Sequence, residues 1–428
     1  MEEIRFSRTY TIEDQKRYVC LPFEVGEEIE RIEIGYTYQR YQTRPTPYGE
    51  QRSEVNIIDL GLFDGKGELC GWSGSERLGI VVSEQNSSPG YRRLPIRSGT
   101  WQVALGIYKV QSSVEVEITI LLVAKKRRWL KGDLHMHTLN SDGIYTTAEV
   151  ISHAKHAKLD FIALTDHNNT EQNKEIGNPT NITVIPGMEY TNYGGHANFF
   201  FTDDGMFTAN PLSNTETEMK ATVAQAKKRG AVVSLNHICD ASCPWILGFD
   251  IPFDLVEVWN GFAKPSDLAA VAWWHQRLVE GKRLAAVGGS DTHRIELGRS
   301  HGTPTTYVFA LSGGREDILN ALVAGRSFIT ATSDGAQLDL HLGKAGLGET
   351  ATWSEQLEGT VLVDQAKAGD RLILISDQGI EASWNIGYAG RLAFPFSVQR
   401  RRFYRTELYR RTLAMELLSA LTNPVYLT

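Results

Sequence analysis

Between about residues 131 and 333, strand-like apolar pieces alternate with helix-like ones, and this alternation limits the possible folds more than any other feature of the chain. The strand-like pieces read DLHMHT, DFIALTDH, TVIPGMEY, HANFFF, AVVSLNH, LVEVWN, LAAVGGSD and TTYVFA. Thr146 followed by Glu149 forms a capping-box pattern ahead of Val150, Ile151, Ala154 and Ala157, and Thr215 with Glu218 repeats it ahead of Met219, Val223 and Ala226. Ser266 precedes a third helical stretch with Leu268, Val271, Leu278 and Val279, and a fourth covers about 315 to 324. Strands that alternate with helices pair in parallel, because a parallel connection needs a crossover long enough to hold a helix. The number of strands favours closure into a barrel, so the expected fold class is α/β.

The flanks read differently. Residues 1 to about 125 are all-β in character. RIEIGYTYQR, NIIDLGLFD, LGIVVS, WQVALGIYKV and SVEVEITILLV show alternating or β-branched apolar residues, and clusters such as GEQRSE and SEQNSSPG separate them. An N-terminal sandwich of short antiparallel strands is expected. The basic run KKRRW at 125–129 reads as a solvated linker, since the chain as a whole is acidic. The barrel is expected over 131–333. Beyond it, LDLHL, GTVLVD, DRLILIS and QRRRFYRTELYRR predict a second small all-β domain over 335–428. The last run is basic with interleaved aromatics, but Glu407 interrupts it, and a strand whose Arg stems cover aromatic neighbours accounts for it.

Composition narrows the class. A chain of 428 residues with 42% hydrophobic side chains can bury one large core and one or two smaller ones. A net charge of −7 and a pI near 5.9 argue against a protein that coats DNA or RNA. They leave room for a small anionic substrate beside a metal that supplies local positive charge. The longest apolar run, Val114 to Ala124, is interrupted by Glu115 and Glu117 and reads as strand, so no membrane span is expected. The N-terminal MEEIRFSRTY is acidic and lacks a signal-peptide core. Four cysteines, Cys20, Cys70, Cys239 and Cys243, are too few for a disulfide scaffold, and a reducing, cytoplasmic setting is expected. Cys239 and Cys243 stand near His237 in sequence, but with no second pair close by they read as buried or loop thiols.

Metal-ligand residue types fall on this pattern in a regular way. His135 and His137 lie two apart on a strand-like piece, with Asp133 on the same face and Asp142 in the following SDG turn. Asp166 and His167 end the second piece, Glu189 ends the third, His196 opens the fourth, His237 ends the fifth, and Asp291 and His293 follow the seventh. In a barrel of parallel strands those ends converge on one face. Burying six imidazoles with Asp142, Glu189 and Asp291 but without a metal would leave unpaired charges. Imidazole nitrogen and carboxylate oxygen suit zinc, manganese or iron. His153, His156, His275 and His341 read as solvated or packing residues. Arg294, Arg299 and His301, on the loop after His293, are candidates for holding an anionic substrate. No G-x-S-x-G motif supplies a competing serine nucleophile.

The ordered set DLHMHTLNSDG, TDHN, GMEY, GH, NH and SDTH resembles the PHP (polymerase and histidinol phosphatase) superfamily, over about residues 131–333. The stretches GWSGSER to SSPGYRRLPIRSGTWQVALGIYKV, ILNALVAGRSFIT, YRTELYR and ALTNPVYL extend the likeness to CehA/McbA-type metallohydrolases. The resemblance implies a distorted (β/α)7 barrel flanked by the two β domains and holding two or three divalent metal ions. It implies His135, His137, Glu189 and Asp291 around the first, Glu189, His196 and His237 around the second, and Asp142, His167 and His293 around the third. Asp142 stands where several family members carry histidine. Asp133 and Asp166 are then expected to orient imidazoles. The implied chemistry is hydrolysis by a metal-bridged water, with no protein nucleophile, most naturally of a small phosphoester. A carbamate or carboxylic ester hydrolase using the same cluster, or a silent binding module, are the alternatives.

Overall fold

The computed structural model describes the chain apart from Met1, Asn178, Asp204, Pro211, Ser213, Leu413 and Ala414. It divides into two compact units, one ending at Lys126 and the other starting at Arg127.

In the first unit, two four-stranded antiparallel sheets enclose one core. One runs Glu2–Thr11, Ser113–Ala124, Ile29–Tyr38, Gly79–Ser83; the other runs Arg17–Val25, Gly99–Lys109, Ile57–Phe63, Leu69–Gly74. Period-two patterning sets the inward faces. Val114, Val116, Ile118, Ile120 and Leu122 are buried while Glu115 and Glu117 point outward, and they meet Leu60, Leu62, Val103 and Leu105 of the other sheet.

Strands of the second unit are numbered from its start: β1 (Arg128–Asp133), β2 (Phe161–Leu164), β3 (Thr183–Asn192), β4 (Gly195–Phe200), β5 (Val232–Leu235), β6 (Leu255–Asn260), β7 (Ala285–Gly289), β8 (Thr305–Ala310) and β9 (Ser327–Thr330). Their order in the sheet is β7-β6-β5-β4-β3-β2-β1-β8-β9. The pairs β1–β2, β2–β3, β5–β6 and β6–β7 are parallel. The sheet curls until the segment past β7 meets the segment past β1, where Asp291 N–H donates to His135 C=O at 2.8 Å and His137 N–H donates to Thr292 C=O at 3.1 Å.

The strand–helix alternation expected of a distorted (β/α)7 barrel is interrupted at β4. This strand is antiparallel to both β3 and β5. Only Tyr193 and Gly194 separate β3 from β4, with Asn192 paired to Gly195, and two residues can close a hairpin but not a parallel crossover. Helices α1 (Thr147–His156), α2 (Glu171–Lys174), α3 (Glu216–Lys228) and α4 (Pro265–Val279) account for the connections that do carry helix, and α5 (Arg315–Val323) joins β8 to β9. Both capping boxes are formed, at Thr146 with Glu149 and at Thr215 with Glu218. The architecture is mixed α/β and rich in strand.

The segment 335–428 lies in the same unit as strands β1 to β9. Its strand Met415–Thr422 pairs with β9, and Phe403–Thr412, Arg371–Ser376 and Gly379–Asn385 continue that sheet. A three-stranded sheet of Gln337–Leu342, Glu358–Ala366 and Gly390–Ser397 covers it. The core between them includes Leu338, Val361, Leu372 and Leu408 together with Tyr307 of β8 and Phe328 of β9.

Asn423 fastens this arrangement. Fully buried, it accepts from Ala286 N–H at 2.8 Å, donates to Ala286 C=O at 2.8 Å, and donates to Ser327 Oγ at 2.8 Å. Replacing Asn423 with Ala leaves buried backbone groups of β7 unpaired and is expected to cost roughly 2–4 kcal/mol. A lower denaturant midpoint with an unchanged slope would register it; a midpoint equal to wild type would refute the role.

Candidate metal centre

β1 ends at Asp133, so His135 and His137 stand on the extended segment just past the strand rather than on it. The parallel bridge between Met136 and Thr292 holds that segment. His167, His237, Asp291 and His293 sit just beyond the ends of β2, β5 and β7, Asp142 lies in the loop after β1, and Glu189 lies inside β3, three residues before its end. His196 stands near the start of β4, opposite Thr191. The reversal of β4 brings that start to the same rim, and so the nine donors expected from sequence all converge.

Their centre is the carboxylate of Glu189, which is fully buried. One oxygen, Oε1, lies 3.2 Å from His135 Nε2, 3.2 Å from His196 Nδ1 and 3.3 Å from His237 Nε2. The other, Oε2, lies 3.0 Å from His167 Nδ1 and 3.4 Å from His137 Nε2. Asp291 Oδ1 lies 3.1 Å from His137 Nε2 and 3.5 Å from His135 Nε2. Toward solvent, Asp142 Oδ1 is 3.0 Å from His293 Nε2 and 3.6 Å from His167 Nε2.

Among the described residues, four groups of donor atoms are close enough to share an ion: His135, His137 and Asp291; His135, Glu189 and His237; His196, His237 and Cys243; and His137, Asp142, His167 and His293. His137 thus faces two groups. Cys243, read from sequence as a loop thiol, brings its Sγ to 3.5 Å from His237 Nδ1.

These donors fit divalent cations. His135 Nε2 and Glu189 Oε2 are buried and meet only the other donor atoms of this cluster, with no hydrogen bond of good geometry, as expected of atoms aimed at an ion. Burial disfavours charge on His135, but Glu189, Glu257 and Asp291 outweigh it and hold its pKa well above the usual value. Burial opposes ionisation of Glu189 too, and the surrounding imidazoles, His135 foremost, hold it well below the carboxylate range. Asp291 is lowered in the same way against its burial, by His135 and His137. Two donors carry strained backbone, His237 at φ 29° and Asp291 at φ 50°, a conformation that side chains other than glycine adopt at functional sites.

The supporting residues differ from expectation. Asp133 and Asp166 touch no imidazole. Asp133 accepts the backbone N–H groups of Gly302 at 2.7 Å, Ser290 at 2.9 Å and His135 at 3.2 Å, and burial pushes its pKa up to about 6. Asp166 accepts from Thr138 N–H at 2.7 Å, Thr138 Oγ1 at 2.8 Å and Ser141 Oγ at 2.6 Å. Both lie at strand ends, where unpaired loop N–H groups are the nearest donors, so they fix loops. Orientation of an imidazole falls to Glu257 of β6, missed in the sequence reading. It is buried, accepts from His135 Nδ1 at 3.0 Å and holds His237 N–H at 3.1 Å. Its signal was a carboxylate inside the otherwise apolar strand LVEVWN. Asn236, which donates to Glu189 Oε1 at 2.9 Å, and Asn260, 3.4 Å from Asp291 Oδ2, were missed as well.

The three proposed substrate-holding residues do not converge. His301 is buried, stacked on His153 and edge-on to Tyr145. Arg294 points to solvent beside Glu296. Arg299 alone lines a cavity next to the donor rim.

No family model matches the sequence, and no curated protein matches it. Among solved structures, the chain is similar to a two-domain protein from Bacteroides vulgatus that contains a predicted PHP-like metal-dependent phosphoesterase. The identity is 19%, with 70% of this chain and 96% of that one covered and a TM-score of 0.42. A protein from Bifidobacterium adolescentis inferred to be a metal-dependent phosphoesterase matches at 17% identity over 40% of this chain and 90% of its own, TM-score 0.29. An amidohydrolase from Chromobacterium violaceum with bound sulfate matches at 16% identity over 40% and 89%, TM-score 0.29.

Glu257→Ala removes the partner of a donor imidazole and is expected to weaken divalent-metal binding about 10- to 100-fold. Calorimetric titration of zinc or manganese into metal-free protein checks this; an affinity equal to wild type would refute the positioning role.

Proposed function

We propose that this chain is a metal-dependent hydrolase of PHP type, in its CehA/McbA-like branch, that cleaves a small phosphoester with water. The observation that supports it most is the ring of five imidazoles around the buried Glu189, with Asp291 and Asp142 on either side. A carboxylate so placed bridges ions, and a ring of this composition has no use in packing alone.

In this reading His135, His137, Glu189 and Asp291 would hold one ion, Glu189, His196 and His237 a second, with Glu189 shared, and Asp142, His167 and His293 a third. Zinc, manganese and iron suit the donor set. Bound divalent ions supply Lewis acidity, lowering the pKa of water toward neutrality and neutralising phosphoryl oxygens. The chain's own part is positional. Glu257 fixes the His135 ring, Asp133 and Asp166 fix the loops that carry the donors, and Asn260 holds Asp291 from the β6 side.

The choice of a phosphoester rests on charge. Arg299 stands beside the donor rim with no carboxylate paired to it among the described residues. An anionic ester gains from every ion in the cluster, and a further anionic group on the same molecule gains from Arg299, whereas a neutral carbamate or carboxylic ester offers one carbonyl oxygen. All four cysteines are free, and among the described residues no helix is long and apolar enough to cross a membrane. We place the enzyme in a reducing, cytoplasmic setting with a small anionic substrate.

Purified protein is expected to contain more than one equivalent of transition metal, to lose hydrolysis on chelation, and to turn over nitrophenyl phosphate faster than nitrophenyl acetate. Elemental analysis and matched kinetics decide it. Full activity without metal would overturn the mechanism, and faster turnover of the acetate would move the assignment to a carboxylic or carbamate ester hydrolase.

A further inference from the structure

Beside the donor rim lies a cavity of about 520 Å³. One wall comes from the segments after β6 and β7, with Gly261, Phe262 and Arg299, and includes Trp259 at the end of β6; the other comes from the C-terminal segment, with Leu418 on a strand and the exposed Lys367 just past the strand Glu358–Ala366. The cavity adjoins the metal centre. Asn260, which reaches Asp291, directly precedes Gly261, and Gly261 N–H donates to Gly289 C=O at 3.0 Å. A Cβ on Gly261 would stand 3.4 Å from Ser290 C=O and 3.5 Å from Arg299 Nη2, so the missing side chain leaves the guanidinium open to the cavity.

The lining is mostly apolar, yet it carries a surplus of positive charge. Arg299, Lys367 and Arg410 face a single carboxylate, Glu296. Arg410 is held by Asp370 at 2.7 Å, and Glu296 lies 3.4 Å from Arg294. Among the described residues, no carboxylate pairs with Arg299 or Lys367. A half-buried guanidinium against apolar walls is costly unless an anion meets it.

We propose that this cavity binds the non-reacting part of the substrate and selects molecules that carry a second anionic group, a carboxylate or a phosphate, on an apolar body. The body packs against Trp259, Phe262 and Leu418, and the second anion sits between Arg299 and Lys367. The proposal rests on the hydrolase reading for the identity of the reacting end, while the cavity's own preference is measurable without turnover. The specificity-setting wall then comes in part from strands outside the barrel.

The test is calorimetric titration of the metal-free full chain with three probes: naphthoate, naphthylphosphonate and uncharged naphthalene methanol. At least one anion is expected to bind about tenfold or more tightly than the alcohol, and the tighter of the two identifies the preferred group. Arg299→Gln and Lys367→Gln are each expected to weaken that anion roughly tenfold and to leave the alcohol unchanged. An unchanged melting temperature verifies the fold of each variant. Equal affinity for anions and alcohol, or no loss in either variant, would overturn the proposal. Preserved anion selectivity in a protein that hydrolyses no ester would support the subsite and refute the hydrolase reading alone.

Discussion

Much of the second unit is arranged around one buried negative charge. Glu189 lies inside β3, a strand buried along most of its length, and an isolated carboxylate there would be very costly. Five imidazoles compensate it, each within 3.4 Å of one of its oxygens. They arrive from β4 and from the segments after β1, β2 and β5, so the charge is satisfied only when those elements reach the same rim. The site and the closure of the sheet are therefore one constraint. The contacts that close the curl, Asp291 N–H to His135 C=O and His137 N–H to Thr292 C=O, are made by the donor residues themselves.

The burden of holding this geometry is divided by chemistry. Loops leaving strand ends carry unpaired N–H groups, and Asp133 and Asp166 collect them. A donor imidazole needs its second nitrogen occupied, and Glu257 does this for His135 from the neighbouring β6. Positive φ at His237 and Asp291 shows where tertiary contacts override local preference. The β strands beyond residue 334 add to the same assembly, since Asn423 ties β7 to β9 through both of its amide atoms.

The donors were legible in the sequence because their positions follow from pattern. Each of His135, His137, His167, Glu189, His237, Asp291 and His293 closes an apolar run, and the strands carrying those runs point the same way, so the runs end at one rim. The reversal of β4 was not read, although YTNYGGH holds the two-residue turn that forces it. The alternation of apolar segments carries no direction, and the turn outweighed it. The roles of Asp133 and Asp166 were misjudged for a related reason: sequence places a carboxylate next to a histidine but cannot say whether ring or backbone is the nearer donor. His301 shared a basic loop with Arg299, yet burial took it to His153 while Arg299 reached a cavity.

By itself the sequence determined the periodicity, the separation into strand-rich flanks and an alternating centre, and the chemistry of the donor set, because these depend on residue type and spacing along the chain. The tertiary structure alone decided which histidine nitrogen faces which oxygen, that Glu257 and Cys243 join the centre, and that the segment after residue 334 continues the sheet of β9. Those outcomes depend on strand order and direction, on which loop lies beside which, and on burial. These are properties of tertiary contacts, such as the one joining His135 to Glu257, 122 positions away, and no local pattern encodes them.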